Sequence, residues 1–91
     1  MGQGQPYEVV LHSPVKRELN KIPNPLFAKI DVTIRGLGDN PRPVGVKKLE
    51  GDIHRIRVGN WRIIYAVLDS EHRVVILRVA RRTEKTYRRL H

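Results

Sequence analysis

Hydrophobic and polar positions along the chain fall into blocks of two different periods. Tyr7-Glu8-Val9-Val10-Leu11-His12 is rich in residues that favour extended backbone and predicts a first strand. From Ser13 the spacing changes. Ser13-Pro14 reads as a helix cap followed by a first-turn proline, and Val15, Leu19 and Ile22 form one apolar stripe at helical spacing. Pro23 ends that helix. Asn24-Pro25 repeats the cap-then-proline signal, Phe27, Ile30, Ile34 and Leu37 form a second stripe, and Gly38 is its expected stop. Two helices this close in sequence predict an antiparallel helical hairpin. A loop over Asp39–Gly45 follows, then Lys47-Lys48-Leu49 as a short strand end before the turn Glu50-Gly51-Asp52. Period-two alternation takes over in Ile53–Val58 and Trp61–Leu68, on either side of Gly59-Asn60, a dipeptide suited to a tight hairpin. Asp69–His72 is a polar turn. Arg73–Ala80 is so dense in Val, Ile and Leu that it predicts an interior strand. Thr83–Leu90 predicts a short C-terminal helix capped by Thr83. The order β-α-α-β-β-β describes an α+β fold, a helical hairpin packed on a twisted, mostly antiparallel sheet. The other sheet face would be open and, by charge, positive.

Composition narrows this picture. The 91 residues, 40% of them hydrophobic, suit one small globular domain spanning 1–91, with 1–6 as a flexible lead. There is no cysteine, which excludes disulfides and thiolate metal sites and fits a reducing, cytoplasmic compartment. No apolar run approaches the length of a membrane span, and Met1–Pro6 lacks the parts of a secretion signal. Charge changes the picture most. Eighteen Lys and Arg face nine Asp and Glu, a net charge of +9. Residues 42–91 carry 13 of those cations. An arginine-rich half points to a polyanion, nucleic acid first among them.

The candidate chemistry lies in the hairpin. Alternation turns Arg55 and Arg57 one way and His54, Ile56 and Val58 the other, while Arg62 opens the next strand near the turn. Guanidinium groups set side by side match phosphate oxygens; the same arrangement also suits ordinary solvated charges on an exposed face. Trp61 and Tyr65 alternate with the core positions Ile63 and Val67 and read as core. His12, His72 and His91 fall in loops or at the terminus, and the four histidines have no metal-ligand spacing.

Longer patterns extend the reading. Leu37-x-x-Asn-Pro-Arg-Pro-x-Gly-x-Lys-Lys-Leu-x-Gly, then Arg55-Ile-Arg-Val-Gly-Asn-Trp-Arg-Ile-Ile-Tyr65, then Val74-Val-Ile-Leu-Arg-Val-Ala-Arg-Arg82 with Tyr87-Arg88 resembles the RelE/ParE toxin superfamily across residues 7–90. The resemblance implies two helices on a twisted antiparallel sheet. It implies either a RelE-type toxin that cuts mRNA in the ribosomal A site, or a ParE-type toxin that acts on gyrase or another member that binds without catalysis. Carried over by position, Arg55, Arg57, Arg62, Arg82 (or its neighbour Arg81) and Tyr87 match the RelE nuclease residues, which favours that branch. Arginine at 55 and 57, where several relatives have lysine, is the departure.

Metal-free RNA cleavage needs an activated 2′-hydroxyl, charge stabilisation at phosphorus and a proton for the leaving 5′-oxygen. Arginine suits stabilisation, not proton transfer, because its pKa lies above ~12. Arg55, Arg57, Arg62 and Arg82 are therefore assigned to phosphate, and Tyr87 to the base or to stacking, with Glu84 as the other base and packing as the other role for Tyr87. His54 borders the cluster but alternates away from it. Lys47, Lys48, Arg78 and Arg81 are assigned to RNA backbone, with Arg42, Arg88 and Arg89 in a more diffuse basic group. No cofactor and no metal is called for. The implied partners are the ribosome with its mRNA, and a cognate antitoxin, acidic where it meets the arginines.

Overall fold

A computed structural model describes residues 5–81. Strand β1 (Glu8–Leu11) leads into helix α1 (Ser13–Asn20), whose cap lies one residue earlier than the sequence suggests. His12 is the capping position with extended backbone, no side chain caps the helix, and Pro14 sits inside the first turn, where its missing N–H costs nothing. At α2 (Leu26–Gly36) the offset is one residue the other way, and Pro25 rather than Asn24 is the cap. That helix ends at Gly36, before Gly38, whose N–H donates to the Arg35 carbonyl.

Four further strands follow: β2 (Lys47–Glu50), β3 (Ile53–Val58), β4 (Trp61–Leu68) and β5 (Arg73–Arg81). They join β1 in one five-stranded sheet of order β1-β5-β4-β3-β2. Every neighbouring pair is antiparallel except β1 with β5. The strand end at Lys47–Leu49 is thus a full edge strand, with all four residues exposed and a register slip between Lys48 and Glu50. Lysines on such an edge hinder pairing with other chains.

One sheet face carries the helices. Val15 and Ile22, together with Ile30, Ile34 and Leu37 of the second helical segment, share a core with Ile63, Tyr65, Val67, Val74, Ile76 and Val79. Val15, Ile30, Ile63 and Ile76 are wholly buried, each contributing roughly 1.5–3 kcal/mol. At one end of the sheet a polar clip holds the loop before β2. Arg42 grips Asp69 through both guanidinium nitrogens (2.8 and 3.3 Å), the Tyr7 hydroxyl donates to Asp69 at 2.6 Å, and the Tyr65 hydroxyl donates to the Pro41 carbonyl at 2.8 Å. The polar turn at Asp69–Glu71 is a 3-10 turn that closes on His72 in the left-handed region (φ 52°), its ring 4.6 Å from that of Tyr7.

Candidate nucleic-acid interface

Two residues, Gly59 and Asn60, connect β3 to β4, with Val58 directly opposite Trp61. Gly59 has φ 60°, and Asn60 is not among the residues with positive φ, the pattern of a type II′ turn. The turn fixes the register behind it. Val58 opposes Trp61, Arg57 opposes Arg62, Ile56 opposes Ile63 and Arg55 opposes Ile64. Directly opposite residues share a sheet face, with Cβ atoms about 5 Å apart. Ile56, Val58 and Trp61 pack against the helix-side core, so Arg55, Arg57 and Arg62 occupy the other face together.

Their environments differ. Arg57 is exposed, Arg55 half-buried and Arg62 only 5% exposed. Two guanidinium groups directly opposite each other across the strands are placed so that both can reach one anion. A guanidinium held in the low-dielectric part of the sheet also interacts with phosphate more strongly than a solvated one.

Lys47 opposes Arg55 across β2 and β3 and extends the same row. Lys48 opposes His54, which is buried on the helix side, stacked on Tyr65 and within 2.9 Å of the Asp52 carbonyl through Nδ1. Arg78 opposes Ile64 in the arginine row, but its Nε donates to Glu18 of α1 at 2.6 Å. Arg81 opposes Trp61 and lies 5.9 Å from the centre of its ring, on the helix side rather than with Arg57 and Arg62. Arg82, Glu84, Tyr87, Arg88, Arg89 and the helix expected over 83–90 lie outside the described residues. Among the described residues, no three His, Asp or Glu side chains come together to hold a metal ion.

The open face is not uniformly positive, as the charge count had suggested. Away from the turn, Val10, Val75, Ala66 and Ile53 line up across four strands on the arginine face, outside the helix-side core. The basic zone is therefore one end of a face whose other end is apolar. The sequence held the signal: Ile63–Leu68 is apolar without a break, the mark of a strand covered on both sides. Glu18 was missed altogether, because a single acid in a helix of cations looks like a solvated charge.

This architecture, two helices on a mostly antiparallel five-stranded sheet, is that of a small toxin class. The chain belongs to the RelE/ParE superfamily: the family model described as ParE toxin of type II toxin-antitoxin system, parDE, matches residues 9–86. Among its relatives the chain is of the RelE type. It is 33% identical over 87 residues to "Toxin RelE" of Mycobacterium tuberculosis, covering 91% of this chain and 89% of that protein. The archaeal RelE–RelB complex from Pyrococcus horikoshii contains a similar chain (29% identity, TM-score 0.81, covering 88% of this chain and 99% of that one). So does the toxin–antitoxin complex RelBE2 from Mycobacterium tuberculosis (28% identity, TM-score 0.74, covering 91% and 100%).

Proposed function

We propose that this toxin is a ribosome-dependent endoribonuclease that cuts mRNA in the A site. The observation that carries the reading is the cross-strand pair Arg57–Arg62 with Arg55 beside it, on the sheet face away from the helices. In the proposed reaction the 2′-oxygen loses its proton and bonds to phosphorus, the bond from phosphorus to the 5′-oxygen breaks, and that oxygen takes up a proton. The products are a 2′,3′-cyclic phosphate and a 5′-hydroxyl. Arg55, Arg57 and Arg62 hold the phosphate and stabilise charge that grows on its oxygens. By the family resemblance, Arg82 is assigned to the same phosphate and Tyr87 to the proton transfer. Lys47 and Lys48 contact RNA backbone, and action on translating ribosomes makes the protein cytoplasmic.

The regulating partner is a cognate antitoxin with an acidic segment, a reading supported by the RelE–RelB pairing of the relatives from P. horikoshii and M. tuberculosis. Gyrase poisoning is the second reading, favoured by the ParE identity of the matching family model. Primer extension on translating mRNA separates the two. Cuts within codons that vanish with Arg62→Ala and fall sharply with Tyr87→Phe support the nuclease. Intact mRNA with broken DNA supports the gyrase reading.

A further inference from the structure

β1 stops at Leu11, opposite Ile76 of β5, so among the described residues no strand lies beside the last five residues of β5 on that side. Helix α1 begins two residues beyond Leu11, and its one acidic residue reaches back to this edge. One carboxylate oxygen of Glu18 accepts the Val79 N–H at 2.7 Å, and the other accepts the Arg78 Nε–H at 2.6 Å. The carboxylate takes the position of the absent strand. It acts just past a slip in the ladder, where Ile64 opposes Arg78 while Tyr65 opposes Ile76, leaving Leu77 as an extra residue. A bulge re-aims the strand that carries it, and a strand end re-aimed without a neighbour needs another anchor. The Glu18 side chain is 19% exposed and the Val79 residue 1%, so water competes poorly for either group.

We propose that Glu18 is a positioning residue for the RNA-cleaving site. By holding Val79 and Arg78 it sets the course of β5 where Ala80 lies beside Arg62, and from there the chain continues to Arg81 and Arg82. Glu18 itself touches no phosphate. This inference rests on the nuclease reading above.

The test compares full-length wild type, Glu18→Ala and Glu18→Gln in a translating extract, measuring turnover and the ribosome concentration that gives half the maximal rate. Positioning errors of about 1 Å cost up to ~10²-fold in rate, so Glu18→Ala is expected to lose ten- to a hundredfold in turnover at unchanged half-saturation. Glu18→Gln keeps an oxygen for Val79 and is expected to stay within about threefold of wild type, on the same scale of positioning loss. Faster amide exchange at Val79 in Glu18→Ala alone accompanies the loss. Removing an acid from a basic protein acts the other way, tightening RNA binding equally for Ala and Gln. Equal cutting by folded Glu18→Ala and wild type, or an equal loss for Ala and Gln, overturns the positioning role while the nuclease reading stands. A wild type that cuts nothing overturns both.

Discussion

At the residue scale, burial decides what each side chain can do. Arg62 is the withdrawn member of the arginine cluster and Arg57 the exposed one. Removing a preorganised donor of this kind typically costs ~10²–10³ in rate. Arg62→Ala is therefore expected to lose that much cutting in primer extension while its circular dichroism spectrum stays native. Tyr65 has a different task. Burial raises its phenol to about 12, with Arg42 opposing weakly. A folded-state value above the ordinary 10.0 means that the stabilisation is whole below pH 10 and fades as pH rises towards 12. Tyr65→Phe loses the bond to the Pro41 carbonyl, about 1 kcal/mol at neutral pH, and urea titrations of wild type and variant are expected to converge between pH 10 and 12. The polar clip has its own window. Arg42, then Tyr7, hold the Asp69 carboxyl below its usual range, and Asp69 in turn raises Tyr7. The clip thus persists as pH falls through the ordinary carboxylate value of 3.8 and fails only at the lower folded-state value.

At the element scale, the hairpin turn sets which arginines meet. Gly59 takes φ 60°, and a Cβ there would meet only Leu26 at 3.9 Å, an ordinary contact. Its replacement costs backbone strain alone, roughly 1–2 kcal/mol for an alanine. Gly59→Ala is expected to lower the thermal midpoint by several degrees and to reduce cutting as well, since the same turn sets the register of Arg57 against Arg62. The elements were legible where period and length agreed: both helical stripes, the hairpin and the interior strand follow from apolar spacing. The helix starts were displaced by one residue because proline is tolerated at more than one position of the first turn: Pro14 sits inside α1 after the cap His12, while Pro25 is itself the cap of α2. β2 was only half visible, since an edge strand with all four residues exposed leaves no alternation to read. The Glu18 clamp was invisible because it joins α1 to β5 through space, and sequence spacing carries no trace of it.

At the scale of the whole molecule, the net charge of +9 makes any RNA contact salt-sensitive. For single strands, each phosphate that a variant no longer neutralises reduces the log–log salt slope by about 0.7. Arg57→Ala is expected to show that change in filter binding to mRNA-loaded ribosomes. Arg35→Ala, which removes an exposed cation paired with Asp31 on the helix side, is expected to leave the slope unaltered. The charge count foretold a basic molecule but not its zoning, because counting ignores which face a residue occupies. Alternation supplies the face only where one side is polar, and Ile63–Leu68 of β4 and Val74–Leu77 of β5 are apolar on both.

The order of the strands also bears on synthesis. β1 comes early in the chain, yet among the described residues its only strand partner is β5, with Glu8 against Arg73. Closing so long a loop is slow, and it cannot begin before β5 has been made and has cleared the exit tunnel. A half-made chain holds the hairpin arginines without the finished sheet that aligns them. In the nuclease reading proposed above, the hairpin arginines would become harmful only once β5 has joined β4 and β1.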